Sequence, residues 1–280
     1  MTTDAAAALS SSFTFPVAGC SNALTVSLFE LPYSEGGLGW RVWTAARLLA
    51  SQLAASPEFC RGKTVLELGA GVGLVGLVAH ALGADVVLSD ALPSLLEAMA
   101  RSCALSHAAA AADSAVDAGG GAYSWPRLRV RRLLWDDDGA ERCTLEPKPS
   151  GAARCQDAAA AVAAALDPAS YLAAALRKAS LRGEPPSDCP GLEPHETFDL
   201  VVASDVLYDF GCRRTLPRVL SRRLARPSGT AILVLPVRDS SLLDAFCVGL
   251  TREKLEWEAR PTSCAGVTGC WAAGDGTMGR

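Results

Sequence analysis

The run Val65-Leu-Glu-Leu-Gly-Ala-Gly-Val-Gly73 constrains this chain more than any other feature. An apolar strand pattern passes directly into glycines at 69, 71 and 73, which let the backbone turn sharply and approach a ligand closely. The apolar stretch at 73–83 then reads as a helix whose first amides point into the crevice beyond the turn. A second strand pattern at 85–89 closes on Asp90, where a carboxylate can take both hydroxyls of a ribose. The span 69–88 is apolar enough to resemble a membrane segment. Its glycines, His80 and Asp85 fit a buried strand-turn-helix-strand unit instead.

The same alternation continues down the chain. Strands are expected at 64–68, 85–89, 128–135, 199–204 and 230–235, and helices at 73–83, 93–106, 215–225 and 240–252. That order predicts an α/β fold, a mostly parallel twisted sheet with helices on both faces. The near-continuous apolar runs at 64–68, 199–204 and 230–235 suit central strands buried on both faces. The third strand alternates, with Arg127, Arg129 and Arg131 against Leu128 and Val130, as an edge strand does. Residues 107–125 and 137–196 are rich in Ala, Gly, Pro and Asp, and read as low-complexity insertions. The domain reading is therefore a disordered stretch at 1–12 and a single domain over 13–280 carrying both insertions.

Composition narrows the partners. The net charge of −4 offers no global basic field for nucleic acid. Ten scattered cysteines without a CxxC pair fit reduced thiols and no metal site. The first residues carry Asp4, no arginine and no long apolar run, unlike a secretory or transit peptide, so a cytoplasmic protein is expected. No membrane association is expected, and the chain is read as a monomer.

The ligand of the glycine turn can be argued from the same residues. Gly71-Val-Gly73-Leu-Val-Gly76 matches the dinucleotide pattern GxGxxG. However, the turn already begins at Gly69, and Glu67 places a carboxylate where a pyrophosphate would be repelled. A cationic ligand bearing an ammonium and a sulfonium suits that carboxylate better. A second signal follows the fourth strand, where Asp205 and Tyr208 fall at the carboxyl edge of the sheet, the ligand-binding edge of α/β folds. By spacing alone, a turn cap at Asp205 and a packed Tyr208 explain that loop equally well.

These motifs carry a resemblance. Glu67-Leu-Gly-Ala-Gly-Val-Gly73 with Asp90 resembles motif I and the acidic position after it in class I, seven-strand methyltransferases with a Rossmann-like fold. Asp205-Val-Leu-Tyr208 resembles the DxxY motif of the methyltransferase-like protein lysine methyltransferases. The segment 39–49 with Trp43 is similar to that family's tryptophan-bearing stretch before motif I, and Leu134-Trp135-Asp136 to its short tryptophan motif beside the adenine. The resemblance covers about 24–106, 127–136 and 197–260. It implies S-adenosylmethionine as cofactor, held by Trp43, Glu67, Gly69, Gly71, Gly73, Asp90, Trp135 and Ser204. It implies Asp205 and Tyr208 as catalytic residues, and a lysine of a folded cytosolic protein, such as a translation factor or chaperone, as methyl acceptor. Some relatives modify histidine or arginine.

The family's sheet ends in a reversed hairpin, and here the sequence departs from it. Residues 255–260 make a plausible sixth strand, whereas the glycine-rich tail after them has little strand propensity, so a degraded seventh strand is expected. A methyltransferase for another residue or a small molecule, a cofactor-binding module without activity, and an NAD-dependent oxidoreductase are the competing readings.

Overall fold

A computed structural model describes residues 10–114, 126–135, 189–208, 211–262 and 267–274. Its frame grows from β3 (Thr64–Leu68), whose apolar run is buried on both faces. β4 (Asp85–Asp90) and β6 (Leu200–Ser204) flank it in parallel, Glu67 standing in register with Leu88 on one side and Val202 on the other. At the amino ends of β3 and β6, Asp199 Oδ2 accepts from the amide and hydroxyl of Thr64, at 2.9 and 2.8 Å. β5 (Leu128–Arg132) pairs outside β4 and is the edge that its alternating arginines predict.

Beyond β6 the sheet continues through β7 (Thr230–Pro236), β8 (Leu255–Pro261) and β9 (Val267–Gly274), giving the seven-strand order β5-β4-β3-β6-β7-β9-β8. β9 runs antiparallel to both neighbours, with Trp271 in register with Ile232 and with Glu258. This order is an α/β, Rossmann-like sheet with a reversed closing hairpin. The expectation of a degraded seventh strand is therefore corrected. A strand inserted between two others satisfies its backbone groups on both edges, and that outweighs the weak propensity of Gly269 and Gly274.

Side-chain parity along the strands sorts the core into two layers. Val65, Val86, Leu88, Val202 and Val234 face α2 (Thr44–Ala55), α3 (Leu74–Ala81) and α4 (Pro93–Ser114). Leu66, Leu68, Val201, Leu233 and Leu235 face α5 (Cys212–Arg223) and α6 (Ser240–Arg252). Each wholly buried leucine contributes roughly 2 kcal/mol of transfer free energy.

Ahead of this sheet lies a hairpin that the domain reading missed, formed by β1 (Ser10–Phe15) and β2 (Leu24–Phe29). Ser12 pairs with Ser27 and Thr14 with Thr25 through their hydroxyls, while Phe15, Val26 and Leu28 enter the core. Residues 10–12 thus belong to an ordered strand; 1–9 lie outside the described residues.

The insertions also need new bounds. α4 runs on to Ser114, so the first insertion begins beyond a helix that its alanines extend. Residues 189–196 are fixed to the body: the Arg132 amide donates to Pro190 O, and Arg129 pairs with Glu196 at 2.7 Å. Arg223, 2% exposed, donates from Nη1 to the carbonyls of Glu193 (2.6 Å) and Glu196 (3.1 Å). The rest of both stretches, 115–125 and 136–188, lies outside the described residues.

Candidate active site

The carboxyl ends of β3, β4, β6 and β7 meet at one edge of the sheet, and the sequence-predicted site residues lie near it, with Glu67 and Gly73 turned into the core. At the β3–α3 turn, Gly69 has φ +59°, and a β-carbon there would come within 3.0 Å of Val206 Cγ1 and 3.2 Å of Trp135 Cζ2. Gly69 therefore lies between the loop after β5 and the loop after β6. Gly71, at φ +56°, donates its N–H to Asp90 Oδ2 at 3.0 Å, and a β-carbon on it would meet Gly39 O at 3.1 Å. Asp90 Oδ1 also accepts from the amides of Ala91 (2.7 Å) and Leu92 (3.2 Å). Three of its roughly four lone-pair positions are taken by backbone, which leaves room for one hydroxyl rather than the two expected. Burial pushes the Asp90 carboxyl above its ordinary value against those amides.

Two of the expected site residues are turned into the body of the fold. Glu67 has the same strand parity as Val65 and lies under α3, 2% exposed, with Oε2 accepting from the Gly76 amide at 2.7 Å. Its carboxylate holds the first turn of α3. Gly73, which opens α3, faces the core: a β-carbon there would meet Leu88 Cδ1 at 3.2 Å and Met99 Cγ at 3.4 Å. Its missing side chain leaves room for that packing.

Burial pushes Glu67 up to about 8, opposed by the Gly76 and Val75 amides and reinforced by the negative charge of Asp90. A carboxyl raised in the folded state binds a proton that the unfolded chain has lost. Its stabilising contribution is full below the ordinary value of 4.5 and is lost as pH rises through about 8. Denaturant unfolding between pH 5 and 9 should show wild type losing stability relative to Glu67→Gln as pH rises; parallel pH dependences would contradict the assignment.

The segment between β2 and α2, which holds the short helix α1 (Tyr33–Gly36), crosses the glycine turn as a strap. Glu30 anchors it, accepting from Ser11 Oγ at 2.8 Å and from the Val42 amide at 3.0 Å. Leu31 N–H donates to Trp40 O, and Ser94 Oγ to Glu35 O, so the strap is tied to itself and to α4. Trp43, 38% exposed, donates from Nε1 to Leu38 O at 2.7 Å, with the Arg41 guanidinium over its ring. Sequence reasoning singled out Trp43, gave Gly39 no role although it opens the same segment, and missed Glu30, which lies in no motif.

Across the crevice, Ser204 ends β6 beside Val234. Asp205 follows in the left-handed region at φ +56°, its amide donating to Val234 O at 3.0 Å. Both of its carboxylate oxygens accept from Arg238, at 2.5 and 2.8 Å. Arg238 was also missed; the sequence offers only an arginine shortly after an apolar strand. Tyr208 stands 49% exposed at the rim.

Residues 27–120, which carry the strap, the glycine turn and Asp90, match the family described as lysine methyltransferase. The matched span is about a third of the chain, and it is this part that is similar to the lysine methyltransferase family. Among similar lysine methyltransferases, METTL21A of Danio rerio is 48% identical over 59 residues, 21% of this chain and 27% of the relative. EEF1A lysine methyltransferase 3 of Mus musculus is 45% identical over 64 residues, 23% of this chain and 27% of the relative. Histone-arginine methyltransferase METTL23 of Homo sapiens is 43% identical over 109 residues, 38% of this chain and 48% of the relative. The chain thus spans between about a quarter and a half of the length of these relatives. Among the described residues no helix is long and apolar enough to cross a membrane.

Proposed function

We propose that this chain is an S-adenosylmethionine-dependent protein N-methyltransferase acting on a lysine side chain of a cytosolic protein, as a monomer. The observation that carries the reading is the contact of Gly69 with Val206, which sets the glycine turn directly beside Asp205. The residues fit the cofactor. The Gly69 slot between Trp135 and Val206 would be closed by any side chain. Asp90 keeps an acceptor position for a ribose hydroxyl, with Trp43 on the strap and Ser204 at the end of β6 as its expected companions.

The cofactor supplies a methyl group activated on a sulfonium. The protein aligns the acceptor nitrogen with that carbon, and alignment provides most of the rate. Asp205 accepts a hydrogen bond from the acceptor amine and turns its lone pair towards the methyl, while Tyr208 shapes the entrance. An arginine acceptor is the second reading, favoured by the histone-arginine relative, the longest of the three matches. The test is transfer of radiolabelled methyl into lysate protein, followed by acid hydrolysis. Methyllysine is the expected product; methylarginine alone would move the second reading to first place.

A further inference from the structure

Arg238 and Asp205 come from the ends of two neighbouring strands and meet in a fork, Nη1 to Oδ1 at 2.5 Å and Nη2 to Oδ2 at 2.8 Å. The Asp205 side chain is 9% exposed and that of Arg238 51%, so the guanidinium covers the carboxylate on its solvent side. Asp205 also holds a left-handed backbone, φ +56°, pinned by its amide to Val234 O. A residue that is strained at the backbone and fixed at both carboxylate oxygens has one orientation, and such over-determination is typical of working sites.

We propose that Arg238 is a positioning residue of the methyl-acceptor subsite: it fixes the plane of Asp205 and cancels its charge, so that the subsite takes the acceptor amine in its neutral, nucleophilic form. This rests on the lysine reading above. Free lysine is an ammonium at neutral pH and has no lone pair with which to attack. The amine must first release a proton to solvent. Its nitrogen lone pair then bonds to the methyl carbon, the carbon–sulfur pair stays on sulfur, and the positive charge passes from sulfur to the methylated nitrogen. The ammonium complex carries one more positive charge than this transition state, so a bare carboxylate would stabilise the unreactive complex more. A neutral Asp205–Arg238 pair still accepts a hydrogen bond without that bias, because two of about four carboxylate lone-pair positions remain.

The other charged groups nearby do not restore a net charge to the pair. Asp239, exposed, caps α6 through the Ser241 amide; Glu67 is turned under α3, and Asp90 is bound within the glycine turn. Tyr208 brings a hydroxyl from the β6 loop. Asp205 raises the Arg238 guanidinium further above its ordinary value, which keeps it charged throughout the working pH range.

The test uses sinefungin, a cofactor analogue with an ammonium-bearing carbon in place of the sulfonium, against S-adenosylhomocysteine, which lacks that charge. Arg238→Gln should leave S-adenosylhomocysteine affinity unchanged and favour sinefungin by about tenfold, equivalent to one pKa unit of charge interaction. In the methylation assay the acid limb of kcat should move up by about one pH unit while KM does not rise. Asp205→Asn, which leaves the guanidinium uncompensated, should move the sinefungin ratio the opposite way and serves if Arg238→Gln does not fold. An unchanged ratio in the variant that folds, or an unchanged pH profile for Arg238→Gln, overturns the proposal. Failure of wild type to bind S-adenosylhomocysteine overturns the cofactor reading itself, and this inference with it.

Discussion

Asp205→Asn is expected to bind S-adenosylhomocysteine like wild type while its turnover falls by roughly a hundredfold, the cost of misplacing a reacting group by about 1 Å. Asparagine is the informative substitution because it tolerates the left-handed backbone that Asp205 adopts at φ +56°. Alanine would add backbone strain to the loss of the carboxylate and confuse the two. The substitution weakens one arm of the Arg238 fork and removes the negative charge, but touches neither Gly71 nor Asp90. Turnover and affinity should therefore separate. Methyl incorporation measured beside calorimetric affinity reads both, and wild-type turnover in Asp205→Asn would remove this carboxylate from the mechanism.

Gly71→Val should lose cofactor affinity by roughly a hundredfold, about 2.8 kcal/mol at 1.4 kcal/mol per tenfold. Two independent obstacles act at this position. A β-branched residue is a poor occupant of φ +56°, and its β-carbon would come within 3.1 Å of Gly39 O and 3.4 Å of Gly39 Cα. Either the strap lifts from the turn or the turn distorts and gives up the Gly71 bond to Asp90. Gly83→Ala is the control. It carries comparable backbone strain at φ +100°, but at the far end of α3, with only Arg61 Cγ within reach at 3.5 Å. It should lower the melting temperature and leave cofactor affinity intact. Equal losses of affinity in both variants would mean that Gly71 acts through stability alone.

Much of the frame could be read from the sequence, because buried parallel strands are written as apolar runs and an edge strand as an alternation. The central places of β3 and β6 and the edge place of β5 followed from Leu66, Val201 and Arg129 in that way. Failures came where pairing or tertiary contact overrode local preference. β9 carries glycines yet is held by a neighbour on each side. β1 and β2 alternate plainly, Ser12 and Thr14 against Phe13 and Phe15, but lie next to a terminus that composition alone marked as disordered. Arg223 ties 193–196 to the domain, and no sequence pattern announces a buried arginine reaching two carbonyls.

The site was legible in part. The glycine turn, Asp90 and the Asp205 loop stand where strand ends place them. The inward turn of Glu67 was available from the same parity that buries Val65, since alternate residues share a face. By contrast, the fork between Arg238 and Asp205 joins residues from two strand ends, and neither residue's neighbours in sequence point to the other.

The most direct measurement is a calorimetric titration of the wild-type protein with S-adenosylhomocysteine and, separately, with NAD. The glycine turn closed by Asp90 should bind S-adenosylhomocysteine at a single site. That ligand should then stabilise the fold by about 2.7 kcal/mol at a hundredfold excess over its dissociation constant. NAD should give neither heat nor stabilisation. Binding of NAD with none of S-adenosylhomocysteine would contradict the account at its centre.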